Sequence, residues 1–153
     1  MLKRAAVFVA LALFIIMASL TDAHAEVRGP KIYGLQIGMP WEEAVQAQKA
    51  FAEKRGMENT GMVIALTKGG NTKASYLKEI TFFPKAFGID GIMTREMFEK
   101  ICDNYGIPFN KMEPGKTPGG LRYTNSREGY IIGYTKDMID IWEITRTSDM
   151  IME

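Results

Sequence analysis

Apolar residues recur every three or four positions in two segments of the chain, which is the spacing of one face of an α-helix. The first segment covers residues 41–52, follows Pro40 and ends before Gly56. The second covers residues 94–105, where Thr94 is suited to cap the first turn. Proline at a helix start and glycine just beyond a helix end are both common, so the pattern predicts two amphipathic helices.

Five further segments are rich in β-branched and aromatic residues, which favours β-strands. Two of them flank a polar, glycine-rich turn and are predicted to pair as a hairpin; they are residues 62–67 and 76–83. Three follow one another closely near the C-terminus and predict an antiparallel meander; they are residues 121–124, 130–135 and 138–145. Residues 31–36 are predicted to form only a short extended entry segment.

Residues 109–120, between the second helix and the last three strands, contain two prolines and three glycines. This density of helix and strand breakers predicts an exposed loop. An antiparallel sheet can leave one face to solvent, so the order helix, two strands, helix, three strands predicts an α+β fold. The expected architecture is a two-layer sandwich, in which a sheet of about five antiparallel strands carries both helices on one face.

The N-terminus has the pattern of a secretory signal peptide. Lys3 and Arg4 precede an uncharged, mostly apolar stretch at residues 5–20, and residues 23–25 read Ala-His-Ala, a small-x-small cleavage motif. We predict that residues 1–25 are removed and that residues 26–153 form one domain, periplasmic or secreted, with no stable membrane span. An uncleaved anchor is the alternative, although the apolar stretch is shorter than the roughly 20 residues that cross a bilayer.

Processing would leave a nearly neutral protein. Lys3, Arg4 and Asp22 leave with the signal, so the 19 basic and 18 acidic residues of the chain fall to 17 of each. A chain without a basic surplus has little to neutralise phosphates with, so nucleic acid is not an expected partner.

Processing would also remove the only histidine, His24, and with it the commonest general acid and base. The carboxylate pairs that are close along the chain, Glu42 with Glu43 and Asp137 with Asp140, are predicted to be solvated charges. Zinc and copper sites need histidines or several cysteines, and one cysteine remains. We therefore predict no enzyme activity, no metal and no cofactor.

Cys102 falls on the apolar stripe of the second helix and is predicted to be a buried, inert thiol.

Residues 34–44 read Gly-Leu-Gln-Ile-Gly-Met-Pro-Trp-Glu-Glu-Ala and place a Gly-Met pair and two acidic residues at a helix start. This segment and the element order resemble small envelope proteins of the BamE/SmpA type and the related β-lactamase-inhibitor-protein-like domains. The resemblance implies a periplasmic scaffold or protein-binding role, in which one sheet face or a loop meets a partner. The chain lacks the lipidation cysteine of the first group and the disulfides of the second, and no functional residue carries over.

The last predicted strand carries apolar residues on both faces, with Ile139 and Ile141 on one face and Trp142 and Ile144 on the other. Either this strand is central and covered on both sides, or one of its faces is an exposed binding surface. The candidate binding residues on this basis are aromatic, and they are Tyr123, Tyr130, Tyr134, Trp142 and Phe109.

Two functions are compatible with these features. The first is an exported, non-enzymatic module that binds a protein or a cell-envelope component through the aromatic sheet face and residues 109–120. The second is a periplasmic small-ligand carrier with an aromatic-lined pocket between the helices and the sheet. The carrier predicts a cavity bordered by Tyr76, Phe82, Tyr134 and Trp142.

Overall fold

The computed structural model describes residues 25–145, and over this range the protein has an α+β fold. The predicted signal peptide lies outside these residues, apart from Ala25. The helices are α1 (Trp41–Lys54) and α2 (Arg95–Asn104). The strands are β1 (Arg28–Ile32), β2 (Leu35–Ile37), β3 (Ile64–Gly70), β4 (Ser75–Phe82), β5 (Glu113–Thr117), β6 (Gly120–Asn125), β7 (Tyr130–Thr135) and β8 (Ile139–Glu143). Short 3₁₀ turns occur at Thr60–Met62, Pro84–Phe87 and Phe109–Lys111.

Both helices lie where the apolar spacing predicts them. Helix α1 begins directly after Pro40 and has Glu42 and Glu43 in its first turn, where negative charge interacts favourably with the helix dipole. At the start of α2, the Thr94 hydroxyl oxygen accepts a hydrogen bond from the Met97 amide at 3.3 Å. In the described part of the chain, neither helix is long and apolar enough to cross a bilayer.

A six-stranded antiparallel sheet in the order β3-β4-β8-β7-β6-β5 forms the body of the fold. The central strand β8 pairs with β4 on one side and with β7 on the other. The β4–β8 pairing places Thr81 opposite Asp140, so it joins parts of the chain that are far apart in sequence. The predicted β3–β4 hairpin and the predicted meander of β6, β7 and β8 are both confirmed.

The sheet has six strands and not about five, because the segment interpreted as a loop contains a strand. Strand β5 pairs with β6 at the sheet edge, with Pro114 opposite Tyr123 and Gly115 opposite Arg122. An edge strand needs only one side of its backbone for pairing and therefore tolerates proline. Gly119, with φ +75°, supplies the tight reversal into β6. Residues 109–120 are mostly exposed as predicted, but the prediction that they form a loop without a strand is wrong.

A two-stranded sheet of β1 and β2 precedes α1, where the sequence predicts only a short extended segment. Tyr33 and Gly34 reverse the chain with φ values of +52° and +82°. The hairpin is tied to the large sheet by the Gly38 amide, which donates to the Leu77 carbonyl at 2.8 Å. Gly38 has φ +86° and a side chain there would overlap the Glu26 carbonyl, so this crossing requires glycine.

One face of the large sheet forms the hydrophobic core together with both helices. Alternation along the strands sends two rows of side chains to this face. From β3 to β5 the rows are Ile64, Phe82, Ile139, Tyr134, Leu121, Lys116 and Leu66, Ile80, Ile141, Ile132, Tyr123, Pro114. The helices contribute Ala44, Phe51, Phe98, Ile101 and Cys102, and the β1–β2 hairpin contributes Ile32, Leu35 and Ile37.

Cys102 is buried in this core, as the sequence predicts. Burial raises the pKa of its thiol to about 12, and the charges of Asp103 and Glu99 act in the same direction. The thiolate, which is the reactive form, is therefore not populated at neutral pH.

We expect Ile141→Ala to lower the free energy of unfolding by about 2–5 kcal/mol, because it leaves a cavity in the middle of the core. Urea unfolding followed by circular dichroism measures this change. The matched control is Ile92→Ala, because the Ile92 side chain is 62% exposed and its loss should cost less than about 0.5 kcal/mol. Equal effects of the two substitutions would contradict the assignment of this face to the core.

Candidate functional site

The other face of the large sheet carries two rows of side chains that point away from both helices. From β3 to β5 these rows are Ala65, Thr81, Asp140, Gly133, Arg122, Gly115 and Thr67, Glu79, Trp142, Ile131, Thr124, Glu113. None of these residues belongs to the core cluster that the helices cover. We call this surface the open face. The last strand, β8, is therefore central in the sheet, but helices cover only one of its two faces.

Trp142 lies at the centre of the open face and is partly exposed. Its indole extends over Gly133 of the neighbouring strand, where an added Cβ would lie 3.2 Å from both Cη2 and Cζ3. Ile131, directly opposite Trp142 on β7, is only 2% exposed although it points away from the core. The indole and Ile131 therefore form an apolar centre on a surface that is otherwise polar.

Two other large side chains lie across glycines of the neighbouring strand. A Cβ at Gly115 would lie 2.8 Å from Arg122 Nε, and a Cβ at Gly69 would lie 2.8 Å from Tyr76 Cζ. A glycine covered by a planar side chain from the next strand is a recognised way of packing a sheet surface. These pairs, together with Trp142 over Gly133, fill the space above three glycines of the open face.

Two carboxylates lie beside Trp142 on adjacent strands. Glu79 is directly opposite Trp142, and Asp140 is directly opposite Thr81, so the two acids are diagonal neighbours on one face. The Thr81 hydroxyl donates to Asp140 Oδ1 at 2.6 Å. Burial raises the pKa of Asp140, and the hydroxyl of Thr81 partly opposes this shift.

The pKa of Glu79 is raised as well. Burial is the largest cause, and the nearby charge of Asp140 adds to it, while a hydrogen bond from Thr67 and the charge of Lys78 oppose it. Both acids are thus less easily ionised than in water because part of their hydration is lost, and for Glu79 the charge of Asp140 adds to this effect.

Neither carboxylate has an ion-pair partner within residues 25–145, where the ion pairs involve other residues. Arg122 shares a row with Asp140, but strand β7 separates them in the sheet and Arg122 lies across Gly115 on the far side of its own strand. The centre of the open face therefore combines two negative groups with an indole, the side chain that binds cations best through its π face. Such a centre is suited to a basic group supplied from outside.

The five aromatic residues predicted as a binding surface are not on one surface, because odd and even positions of a strand point to opposite faces. Only Trp142 lies on the open face. Tyr123 and Tyr130 point into the core and are 7% and 1% exposed. Tyr134 is on the same side as these two, and Phe109 precedes β5 and packs against the core.

Three of these residues hold α2 against the sheet. Phe98 of α2 stacks on Tyr123 and Tyr134 with ring centroids 5.7 and 4.3 Å apart. Phe109 meets Phe98 and Tyr123 edge to face, at 5.9 and 5.6 Å. Tyr130 is also internal, and its hydroxyl lies 3.9 Å from Met112 Sδ. These aromatic residues therefore stabilise the fold.

The four residues predicted to border a ligand cavity do not share one. Phe82 and Tyr134 lie on the core side of the sheet, whereas Trp142 lies on the open face. The structure instead has a cleft of about 310 Å³ beside α2 and a more polar groove of about 590 Å³ beside β1. In the part of the chain that the structure describes, no three histidine, cysteine, aspartate or glutamate residues are grouped so as to hold a metal ion.

The acidic pair is absent from the candidate residues that the sequence provides. The alternation of side chains along a strand places Asp140 on the same face as Trp142, and this alternation is the one sequence feature that could have identified Asp140 as a site residue. Asp140 is close to Asp137 along the chain, but Asp137 is not part of the acidic pair because it lies in the exposed turn before β8. Glu79 becomes a neighbour of Asp140 only through the β4–β8 register, which the sequence does not reveal.

The raised pKa values predict how stability depends on pH. A carboxyl group whose folded-state pKa lies above its unfolded-state pKa destabilises the fold when it is ionised, so this penalty is present above the raised pKa and is lost as pH falls through it. We expect Asp140→Asn, which keeps an oxygen to accept from Thr81, to be more stable than the natural protein at pH 7. This advantage should shrink toward pH 4. Urea unfolding across this range measures the difference, and parallel pH curves for the two proteins would contradict it.

Comparison of the chain with protein-family models, with curated proteins and with solved structures finds no match. The resemblance of residues 34–44 to envelope proteins of the BamE/SmpA type stays a prediction. The chemistry of the open face is therefore the basis on which a function is inferred.

Proposed function

We propose that the protein is an exported, non-enzymatic module that binds a protein partner through the open face of its sheet. The observation that carries this proposal is the group formed by Trp142, Glu79 and Asp140 at the centre of that face. A partly exposed indole lies there beside two carboxylates that no cation of the described residues pairs with. An arginine or lysine of the partner would satisfy the carboxylates while its side chain packs on the indole.

The shape of the open face favours a protein over a small molecule. Six strands at roughly 4.8 Å spacing make the face about 24 Å wide, which is the scale of a protein interface. Small-molecule sites are concave, whereas planar side chains lie flat across glycines here. An apolar centre surrounded by polar residues is also the usual arrangement of a protein-binding patch.

Export is proposed from residues 1–25, which combine a positive start, an apolar stretch and an Ala-His-Ala site in the order that a signal peptide has. Cleavage after Ala25 would keep the whole fold intact, since β1 starts at Arg28. It would also keep Glu26, whose carbonyl packs against Gly38.

Intact-mass analysis of the protein from the cell envelope or the medium should give the mass of residues 26–153. Ala25→Arg should block processing, because the peptidase requires a small residue at the cleavage site, and the full-length chain should then accumulate. Recovery of the natural protein from the cytosol at its full-length mass would contradict export.

Trp142→Ala should weaken binding of the partner about thirtyfold, the effect expected when a central tryptophan contributing about 2 kcal/mol is removed. The partner is first captured from an envelope extract on the natural protein, and its affinity for each variant is then measured by calorimetry. Ala65→Arg, which adds a cation to the row of Asp140 and leaves the core and Trp142 intact, should weaken binding of a basic partner as well.

The matched control is Met62→Ala, which removes another exposed apolar side chain, 74% exposed and outside the open face. It should leave the affinity unchanged. A partner that binds the natural protein, Trp142→Ala and Ala65→Arg equally well would show that the open face is not the binding surface.

A further inference from the structure

A cleft of about 310 Å³ lies on the helix side of the molecule, between α2 and the turn that follows β4. Phe87 and Ile89 form one wall, and Met97 and Tyr105 form the other, with Tyr33 at the base. Met97 is 39% exposed, so the apolar wall continues to the surface. The volume is at the lower end of the range for small-ligand sites.

The polar groups at the base of the cleft are satisfied by one another. The Tyr33 hydroxyl donates to the Ala86 carbonyl at 2.8 Å, and Arg55 Nη1 donates to the same carbonyl at 2.7 Å. Burial raises the pKa of Tyr105 to about 12, and the neighbouring Tyr33 hydroxyl acts in the same direction. The lining of the base is therefore mainly aromatic, and the Arg55 guanidinium is engaged with the Ala86 carbonyl and the Tyr33 ring.

Rigid contacts fix this base. The Arg55 guanidinium lies 5.1 Å from the centre of the Tyr33 ring and 4.4 Å from the centre of the Phe51 ring. Tyr33 also holds a left-handed backbone conformation, with φ +52°, which is unusual for a residue with a large side chain. Side chains held in this way form the cleft before any ligand arrives.

The free polar groups of the cleft lie at its rim. Lys100 and Asn104, one helical turn apart on α2, line the opening, and both are exposed. Neither makes an ion pair or a side-chain hydrogen bond with another described residue. Lys100 is the only charged residue in the lining of the cleft, so the opening favours a negative group.

We propose that this cleft binds a small amphipathic anion, a monocarboxylate whose unbranched apolar tail lies against Phe87, Ile89 and Met97 and whose carboxylate is held at the rim by Lys100 and Asn104. At roughly 30 Å³ per water molecule the cleft holds about ten waters, and a methylene group occupies a similar volume. A tail of roughly eight to ten carbons therefore fills it. This site is separate from the open face, which lies on the opposite side of the sheet.

The test is calorimetric titration of the purified protein with hexanoate, octanoate and decanoate, each below its micelle concentration. Affinity should rise about tenfold for every two carbons, because each methylene that enters the cleft strengthens binding roughly three- to fourfold. Decanol, which has the same tail and no charge, should bind roughly three- to fivefold more weakly than decanoate, the effect of one exposed ion pair.

Three variants at exposed positions locate the site. Asn104→Trp should abolish decanoate binding by filling the opening, and Lys100→Gln should reduce the affinity for decanoate to that for decanol. Lys49→Gln, an exposed lysine of α1 outside the cleft, is the matched control and should change nothing. Trp142→Ala should also retain decanoate binding, so failure of this site and failure of the open face are distinguishable.

Two results would overturn the proposal. The first is a folded protein that shows no saturable binding of decanoate. The second is binding that is the same for Asn104→Trp and Lys100→Gln as for the natural protein, because the ligand would then be bound elsewhere.

Discussion

The antiparallel pairing of β4 with β8 is the interaction on which the rest of the structure depends. Its residue pairs run from Glu79–Trp142 to Phe82–Ile139 and join the β3–β4 hairpin to the C-terminal meander. The same ladder that aligns isoleucines in the core aligns the acids and the indole on the open face. A shift of one residue would exchange the two faces and bury unpaired carboxylates beneath the helices, so the register is strongly specified. The stability of the fold and the chemistry of the candidate site therefore have one origin.

Local patterns predict the elements that bury a regular apolar face, namely both helices and five strands of the large sheet. The prediction fails where proline and glycine are read only as breakers. Pro114 and Gly115 lie in an edge strand, where the free side of the backbone needs no partner and a cross-strand arginine covers the glycine. Gly29 and Pro30 similarly lie within β1, whose pairing with β2 depends on the left-handed turn at Tyr33 and Gly34. Contacts between strands decide these cases, and a single sequence does not contain them.

The candidate site is predictable only in part, because it depends on register as well as alternation. The sequence identifies Trp142 and shows that Asp140 shares its face. It cannot show that Glu79 is opposite Trp142. An irregularity between β3 and β4 also inserts Lys78 as an extra residue, so Leu77 and Ile80 are both fully buried although they are three residues apart. Simple period-two counting assigns one of these two residues to the wrong face.

The outer strands of the large sheet are poorly suited to pair with a second chain. The outer strand β5 carries Pro114, which has no amide hydrogen to offer, and Lys116, while the other outer strand, β3, carries Lys68 at the irregularity of its pairing. Charge, proline and local twist at an outer strand prevent a second chain from extending the ladder. Both outer strands of the large sheet therefore disfavour the edge-to-edge pairing from which ribbons and fibrils grow.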